Sequence, residues 1–233
     1  MINKLSYGIF TSNQLKIIAL IAMTIDHIGV QIFPEIKILR IIGRIAFPIF
    51  AYMIAEGCKY TKNRKKYLLT MISMAVICQF VYFFAMNSLS QCILVTFSLS
   101  VALIYVLDNA QSRGEVKSSV ITIAAFAVVI FLTEILPRLW KGTDFGIDYG
   151  IYGVMLPVFV FAAHRKMQKL FAAAIMLVLL SVDFGGVQWF GLMALPLLAL
   201  YNGERGRLNM KSLFYIYYPS HLVIIYLISM LIK

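Results

Sequence analysis

Residues 15–33 read LKIIALIAMTIDHIGVQIF, an almost unbroken apolar run that contains Asp26 and His27. A bilayer core about 30 Å thick is crossed by about 20 helical residues, so this run is long enough to span a membrane. It lacks a small-residue cleavage pattern, and an acid and an imidazole interrupt it. We therefore expect a retained helix and not a cleaved signal peptide.

Apolar runs of similar length recur along the whole chain. The 233 residues are 61% hydrophobic and only 13% charged, a composition far from that of soluble globular proteins. No polar block separates the runs, so we expect an all-α, polytopic membrane bundle that forms a single domain over 1–233. The runs predict nine transmembrane helices, near residues 15–33, 38–57, 67–86, 92–107, 118–137, 150–164, 169–182, 187–201 and 212–232.

The net charge of +11 indicates membrane orientation and not nucleic-acid binding. Most lysines and arginines stand in short connections between apolar runs. With nine crossings and the N-terminus inside, most of the 21 basic residues fall on the inner side, Lys4 among them, and few fall on the outer side with Lys233. The positive-inside rule therefore favours a cytoplasmic N-terminus.

Four ionisable side chains within the apolar runs are predicted to lie at similar depth in the membrane. They are Asp26 and His27 on the first helix, Arg44 on the second and His221 on the last, when a rise of about 1.5 Å per residue is counted. Charges in hydrocarbon are costly and usually face the bundle interior, in pairs or at a functional site. A functional cluster is one interpretation. In the other interpretation, an ion pair between Asp26 and Arg44 only joins two helices, and His221 only has a packing role.

The second predicted helix carries polar residues along one face. Arg40, Arg44, Pro48, Tyr52 and Glu56 recur every fourth residue, so they lie along one slowly drifting stripe. Proline has no backbone N–H, so Pro48 leaves the carbonyl of Arg44 without its helical partner and predicts a kink there. A kinked helix with a freed carbonyl is typical of cavities inside membrane bundles.

A basic loop follows the second helix and contains Lys62, Arg64, Lys65 and Lys66. It sets topology or contacts anionic lipid in one interpretation. In the other it is an entrance for a polyanionic cosubstrate, because lysine and arginine pair well with phosphate.

Several motifs are more specific than these patterns. They are MTIDHIG at residues 23–29, LRIIGRIAFPIF at 39–50, EG at 56–57, TKNRKKY at 61–67, DYGIYG at 148–153, NGERG at 202–206 and FYIYYPSHL at 214–222. In these motifs the chain resembles the TraX family, membrane proteins of conjugation systems that are associated with N-terminal acetylation of pilin. The resemblance extends over nearly the whole chain.

The resemblance implies a bacterial inner-membrane acetyltransferase that takes an acetyl group from acetyl-CoA and uses no metal. The implied acceptor is an amine or hydroxyl of a peptide, such as a pilin N-terminus, or of an envelope glycan. We expect catalysis at His27, Asp26 and Arg44. We expect the acceptor at Arg40, Tyr52, Glu56, Asp148, Tyr149, Tyr218 and His221, and acetyl-CoA at Lys62, Arg64, Lys65, Lys66 and Arg205.

Acetyl transfer needs a base for the acceptor proton and positive charge where the oxyanion develops. His27 is the candidate base because imidazole titrates near neutral pH. Asp26 would orient or charge-balance the site, and Arg44 would stabilise the oxyanion or anchor the pyrophosphate. Direct transfer and a short-lived acetyl-His27 both fit these residues.

Two other function classes stay open at this point. A proton-coupled transporter would also use an acid, two histidines and an arginine inside a bundle, although no clear inverted repeat is visible. A non-enzymatic scaffold for pilus or envelope assembly would have no affinity for acetyl-CoA. The sequence does not indicate an oligomeric state.

Overall fold

The computed structural model describes residues 8–207 and 210–232. Within these ranges the chain is helical, with two isolated bridges, Phe10 to Tyr201 and Gln91 to Ile147, and no longer strand. Along these described residues nine helical stretches follow one another, and each overlaps one predicted helix. They are α1 Ser12–Gln31, α2 Lys37–Tyr60, α3 Arg64–Met86, α4 Ile93–Arg113, α5 Val116–Leu139, α6 Gly150–Ala162, α7 Lys166–Phe184, α8 Gly186–Ala199 and α9 Lys211–Ile232.

Three of these stretches are irregular. Helix α2 consists of Lys37–Gly43 and Ala46–Tyr60, and the break lies one turn before Pro48, where the missing N–H predicts it. Helix α5 contains a π-helical turn at Phe131–Ile135. Helix α8 begins with a 3₁₀ segment, Gly186–Met193.

The described helices make this a membrane protein. Five of them are long and apolar enough to cross a bilayer: Lys37–Tyr60, Arg64–Phe84, Ile93–Arg113, Val116–Leu139 and Lys166–Phe184. Three shorter ones are also apolar, namely Gly150–Ala162, Gly186–Ala199 and Ile216–Ile232. Helix α1 is not among the five. Nine crossings and a cytoplasmic N-terminus stay predictions, and Lys4 and Lys233 lie outside the described residues.

The chain divides into two compact units. Unit 1 consists of the described residues up to Met53 and from Arg165 onward, and unit 2 consists of Ile54–His164. In unit 2, α4 packs against α3, α5 and α6. The hydroxyl of Ser100 joins α4 to α6 by donating to the carbonyl of Val154 at 2.8 Å.

Unit 1 is built on close contact between α1 and the first part of α2. A Cβ added to Gly43 would overlap the side chain of Asp26, and one added to Gly29 would lie 2.8 Å from the Cβ of Leu39. Glycine at both positions lets the two backbones approach. Helix α1 also packs against α9, and α2 packs against α8.

The N-terminus of α1 is satisfied by local and distant partners. The side chains of Thr11 and Gln14 form a capping box, in which each accepts a hydrogen bond from the other's backbone N–H. The next two backbone N–H groups, of Ser12 and Asn13, donate to carbonyls of the α8–α9 connection. That connection is thereby fixed over the start of α1.

We predict that Gly43→Ala destabilises the protein, because the new methyl group collides with Asp26 in a closely packed interface. Overpacking of this kind typically costs about 1–3 kcal/mol. Thermal unfolding of the purified protein in detergent measures the effect. Gly146→Ala is the matched control, since no atom lies within 4 Å of a Cβ added there. Equal melting temperatures for the two variants would contradict the prediction.

Candidate functional site

Three charged side chains from α1 and α2 meet in unit 1 and form what we call the charge cluster: Asp26, Arg40 and Arg44. Both arginines donate to the same carboxylate oxygen, Oδ2 of Asp26, Arg40 at 2.7 Å and Arg44 at 2.5 Å. The side chain of Arg44 is 9% exposed and that of Arg40 is 31% exposed. The predicted contact between Asp26 and Arg44 is thus present, and Arg40 takes part in it.

The local sequence explains how the charge cluster forms. Arg40 and Arg44 are four residues apart, so they share one face of α2. Gly43 lies between them and admits Asp26 to that face. The Nε of Arg44 also donates to the carbonyl of Arg40 at 3.3 Å, which holds the guanidinium beside the break in α2.

Helix α8 supplies a fourth polar side chain, Gln188, which sequence reasoning did not identify. Its Oε1 accepts a hydrogen bond from Nη1 of Arg44 at 3.2 Å, and the residue is buried. Helix α8 lies against the break at Gly191, where a Cβ would be in ordinary van der Waals contact with the carbonyl oxygen of Arg44, at 3.6 Å. The only sequence feature that could have indicated Gln188 was that it is a single amide within the apolar run 187–201.

Two imidazoles lie next to the charge cluster and are called here the histidine pair. The ring centroids of His27 on α1 and His221 on α9 are 5.1 Å apart in an edge-to-face arrangement. The two aromatic residues one turn earlier, Tyr217 and Tyr218, have ring centroids 5.3 Å and 5.5 Å from that of His221. Asp26 and His27 are consecutive residues of α1, so we treat the charge cluster and the histidine pair as one candidate site.

Hydrogen bonds fix which nitrogen of His221 carries the proton. Its Nδ1 lies 3.0 Å from the backbone carbonyl of Tyr217, and a carbonyl can only accept, so Nδ1 is the donor. In a neutral ring, Nε2 is then the acceptor. This Nε2 is buried without a hydrogen-bond partner among the described residues.

A second contact ties α9 to α1 at the same level. The hydroxyl of Thr24 donates to the carbonyl of Leu20 at 2.8 Å, so the Tyr217 hydroxyl, 2.6 Å away, donates to Thr24. The bond from Tyr217 to Thr24 joins α9 to α1, whereas the bond to Leu20 lies within α1. The histidine pair is therefore positioned by α1 and α9 together.

Among the three side chains of the charge cluster, positive charge is in excess. One carboxylate faces two guanidiniums, and arginine does not lose its proton in proteins. The second oxygen of the carboxylate, Oδ1, is buried and has no hydrogen-bond partner within the described part of the chain. The site thus combines a fixed positive excess, an imidazole pair and polar atoms available to a ligand.

The other predicted acceptor residues are distributed over both units. In unit 1, Tyr52 is buried and its ring packs edge-to-face on that of Tyr201, with centroids 6.2 Å apart. Glu56 is buried in unit 2. Asp148 and Tyr149 also belong to unit 2, at the start of α6, where the Asp148 carbonyl accepts a hydrogen bond from Thr96 at 2.7 Å.

The predicted acetyl-CoA residues also fall in both units. The basic loop lies in unit 2, where Lys62, Lys65 and Lys66 are exposed and Arg64 pairs with Asp108 at 2.5 Å. In unit 1, Arg205 lines a pocket of about 560 Å³ at the N-terminus of α1. The pocket is also lined by Thr11, Asn13, Gln14, Ile17, Glu204, Gly206, Arg207 and Met210.

Known proteins match almost the whole chain. A family model described as TraX protein matches residues 11–229. The "Probable fimbrial assembly protein FimC, serogroup H1" of Dichelobacter nodosus is 25% identical over 237 residues, which cover 93% of this chain and 94% of that protein. An uncharacterized protein of Rickettsia prowazekii (strain Madrid E) is 54% identical over 50 residues, 22% of this chain and 18% of that protein. No solved structure matches the sequence.

We predict that Asp26→Asn destabilises the protein far more than Arg40→Gln. The first change removes the carboxylate that both guanidiniums contact, and removing one partner of a buried ion pair typically costs about 3–5 kcal/mol. The second change leaves one carboxylate facing one guanidinium, and Arg40 is the more exposed arginine. The fraction of folded protein after heating in detergent distinguishes the two variants. A larger loss for Arg40→Gln would contradict the charge balance described above.

Proposed function

The chain belongs to the TraX protein family, and on that premise we propose that it is a bacterial inner-membrane acetyltransferase that moves an acetyl group from acetyl-CoA to an amine. The observation that carries this proposal is the site in unit 1. A histidine pair with ring centroids 5.1 Å apart adjoins a carboxylate held by two guanidiniums. Such a site offers a base and a permanent positive charge within one small volume.

The chemistry needs both features. The acceptor nitrogen attacks the thioester carbonyl carbon, and its proton passes to His27 acting as base. The carbonyl electrons move onto oxygen, and the resulting oxyanion is stabilised by the positive excess of the charge cluster. The C–S bond then breaks, the carbonyl reforms, and the CoA thiolate takes the proton from His27. In a two-step variant, an imidazole nitrogen of His27 attacks the thioester carbonyl carbon and the C–S bond breaks, which releases CoA thiolate. The amine then attacks the acetyl carbon, the bond from that carbon to His27 breaks, and the amine proton passes to the freed imidazole.

Two hydrogen-bond acceptor atoms of the site have no protein partner among the described residues, and they favour an amine as the molecule that receives the acetyl group. Nε2 of His221 and Oδ1 of Asp26 are both buried hydrogen-bond acceptors. The reactive, neutral form of a primary amine brings two N–H donors, whereas a hydroxyl brings one O–H donor. The relative from Dichelobacter nodosus is named for fimbrial assembly, which favours a protein subunit of a surface appendage over an envelope glycan as the acceptor.

Acetyl-CoA carries phosphates, and two basic places are candidates for them. The exposed lysines of the loop in unit 2 form one, and the pocket of unit 1 with Arg205 and Arg207 forms the other. Lysine and arginine both suit phosphate, with arginine binding in a bidentate manner. The pocket lies at the Ser12 end of α1, about 20 Å along the helix from His27 at about 1.5 Å per residue.

We predict that His27→Ala reduces acetyl transfer by about 100- to 10,000-fold, as expected for loss of a general base. Purified protein is given radiolabelled acetyl-CoA and a peptide with a free N-terminus, and labelled peptide is counted. His164→Ala is the matched control, because His164 is exposed at the end of α6 and is not part of the site. Full turnover by His27→Ala would remove this residue from the mechanism. Uptake into proteoliposomes without any labelled product from the unaltered protein would favour a transporter.

We also predict that the triple variant Lys62→Gln, Lys65→Gln, Lys66→Gln raises the KM for acetyl-CoA about tenfold at low salt. Each exposed charge pair is typically worth about 0.2–1 kcal/mol, and screening reduces the difference as salt rises. Lys141→Gln, an exposed change in another connection, is the control. If Arg205→Gln raises the KM and the triple variant does not, the phosphates bind at the pocket and the loop only sets topology.

A further inference from the structure

Gln188 has an orientation that chemistry determines. Its neighbour Arg44 carries only donors, so the amide oxygen and not the amide nitrogen must face the guanidinium. The bond from Nη1 of Arg44 to Oε1, at 3.2 Å, agrees with this requirement. The Nε2 group, with its two N–H donors, therefore points away from Arg44.

This Nε2 group is buried and has no hydrogen-bond partner among the described residues. A buried donor left unsatisfied typically costs about 1–3 kcal/mol. Gln188 lies in the 3₁₀ segment Gly186–Met193, which begins at two consecutive glycines with positive φ, Gly185 at +66° and Gly186 at +54°. A donor kept beside a charged site at such a cost is suited to a ligand atom that accepts hydrogen bonds.

Arg44, in contrast, is already engaged on every nitrogen. Nε donates to the carbonyl of Arg40, Nη1 to Gln188 and Nη2 to Asp26. A guanidinium held in this way supplies a fixed positive field, but its nitrogens are committed to protein oxygens. Nε2 of Gln188, by contrast, is a buried side-chain donor that has no protein partner among the described residues.

We propose that Gln188 is a catalytic residue whose Nε2 donates a hydrogen bond to the acyl carbonyl oxygen of acetyl-CoA. The proposal rests on the acetyltransferase function proposed above. As the acceptor nitrogen bonds to the carbonyl carbon, the C=O electron pair moves to oxygen, and the N–H of Gln188 stabilises that oxyanion while Arg44 supplies the field. When the C–S bond breaks, the electron pair returns and the hydrogen bond weakens, and the thiolate leaves with the proton held by the base.

Two substitutions separate donation from positioning. Gln188→Glu keeps an oxygen for Arg44 but replaces the donor by an acceptor, and Gln188→Met keeps the approximate shape without either function. Both should lower kcat by about 100- to 1,000-fold, the range for removing one oxyanion donor. The KM for acetyl-CoA should change less than about twofold. Gln111→Glu, at an exposed position of α4, is the matched control and should keep wild-type rates.

The measurement is steady-state transfer from radiolabelled acetyl-CoA to a peptide with a free N-terminus, with thermal unfolding recorded for every variant. Near wild-type kcat in Gln188→Glu, together with a low kcat in Gln188→Met, would overturn the proposal, since Gln188 would then only position Arg44. If Gln188→Glu does not fold, the kcat of Gln188→Met alone decides, and a wild-type value overturns the proposal. An unaltered protein without turnover would reject the acetyltransferase function, whereas turnover with active Gln188 variants would reject only the role of Gln188.

Discussion

The carboxylate of Asp26 between two guanidiniums is the contact on which unit 1 depends. An unpaired charge in hydrocarbon is too costly to keep, so helices that carry such charges must meet. The backbones can meet because Gly43 leaves room for Asp26, and because α2 breaks after Arg44, one turn before Pro48. Helix α1, which is not among the five helices apolar enough to cross a membrane by composition, is held in the bundle by these contacts.

The same contact determines what chemistry the site favours. Two guanidiniums against one carboxylate leave a positive charge that does not titrate, because arginine keeps its proton. A permanent positive charge stabilises a reaction centre that becomes negative, as a thioester carbonyl does on attack. It would also repel a proton or another cation moving through the bundle, which disfavours the relay that a transporter would need. The charge balance is thus a physical reason to prefer acyl transfer over proton coupling for these residues.

The sequence predicted the helices and the cluster because both follow from the cost of polar groups in lipid. All nine apolar runs are helical, and the largest difference in bounds is the end of α4, predicted at 107 and found at Arg113. That helix continues through polar residues and ends at Gly114, which adopts a left-handed conformation. Hydropathy alone cannot predict a helix end of this kind, because it depends on backbone conformation. Gln188 was not predicted, because a single amide in an apolar run becomes significant only when the 3₁₀ geometry of α8 brings it to Arg44.

Under the proposed acetyltransferase function, the positions of the two polar regions in unit 1 suggest a path for the acyl group. The charge cluster lies near the Gln31 end of α1, whereas the pocket with Arg205 lies at the Ser12 end. A cosubstrate bound by its phosphates at the pocket must extend along α1 to bring its thioester to His27, and the long flexible arm of CoA is suited to that distance. The acceptor would then approach from the Gln31 end, which would be the outer side if the predicted cytoplasmic N-terminus is correct. Donor and acceptor would thus meet from opposite ends of one helix, so that only the acetyl group crosses the membrane.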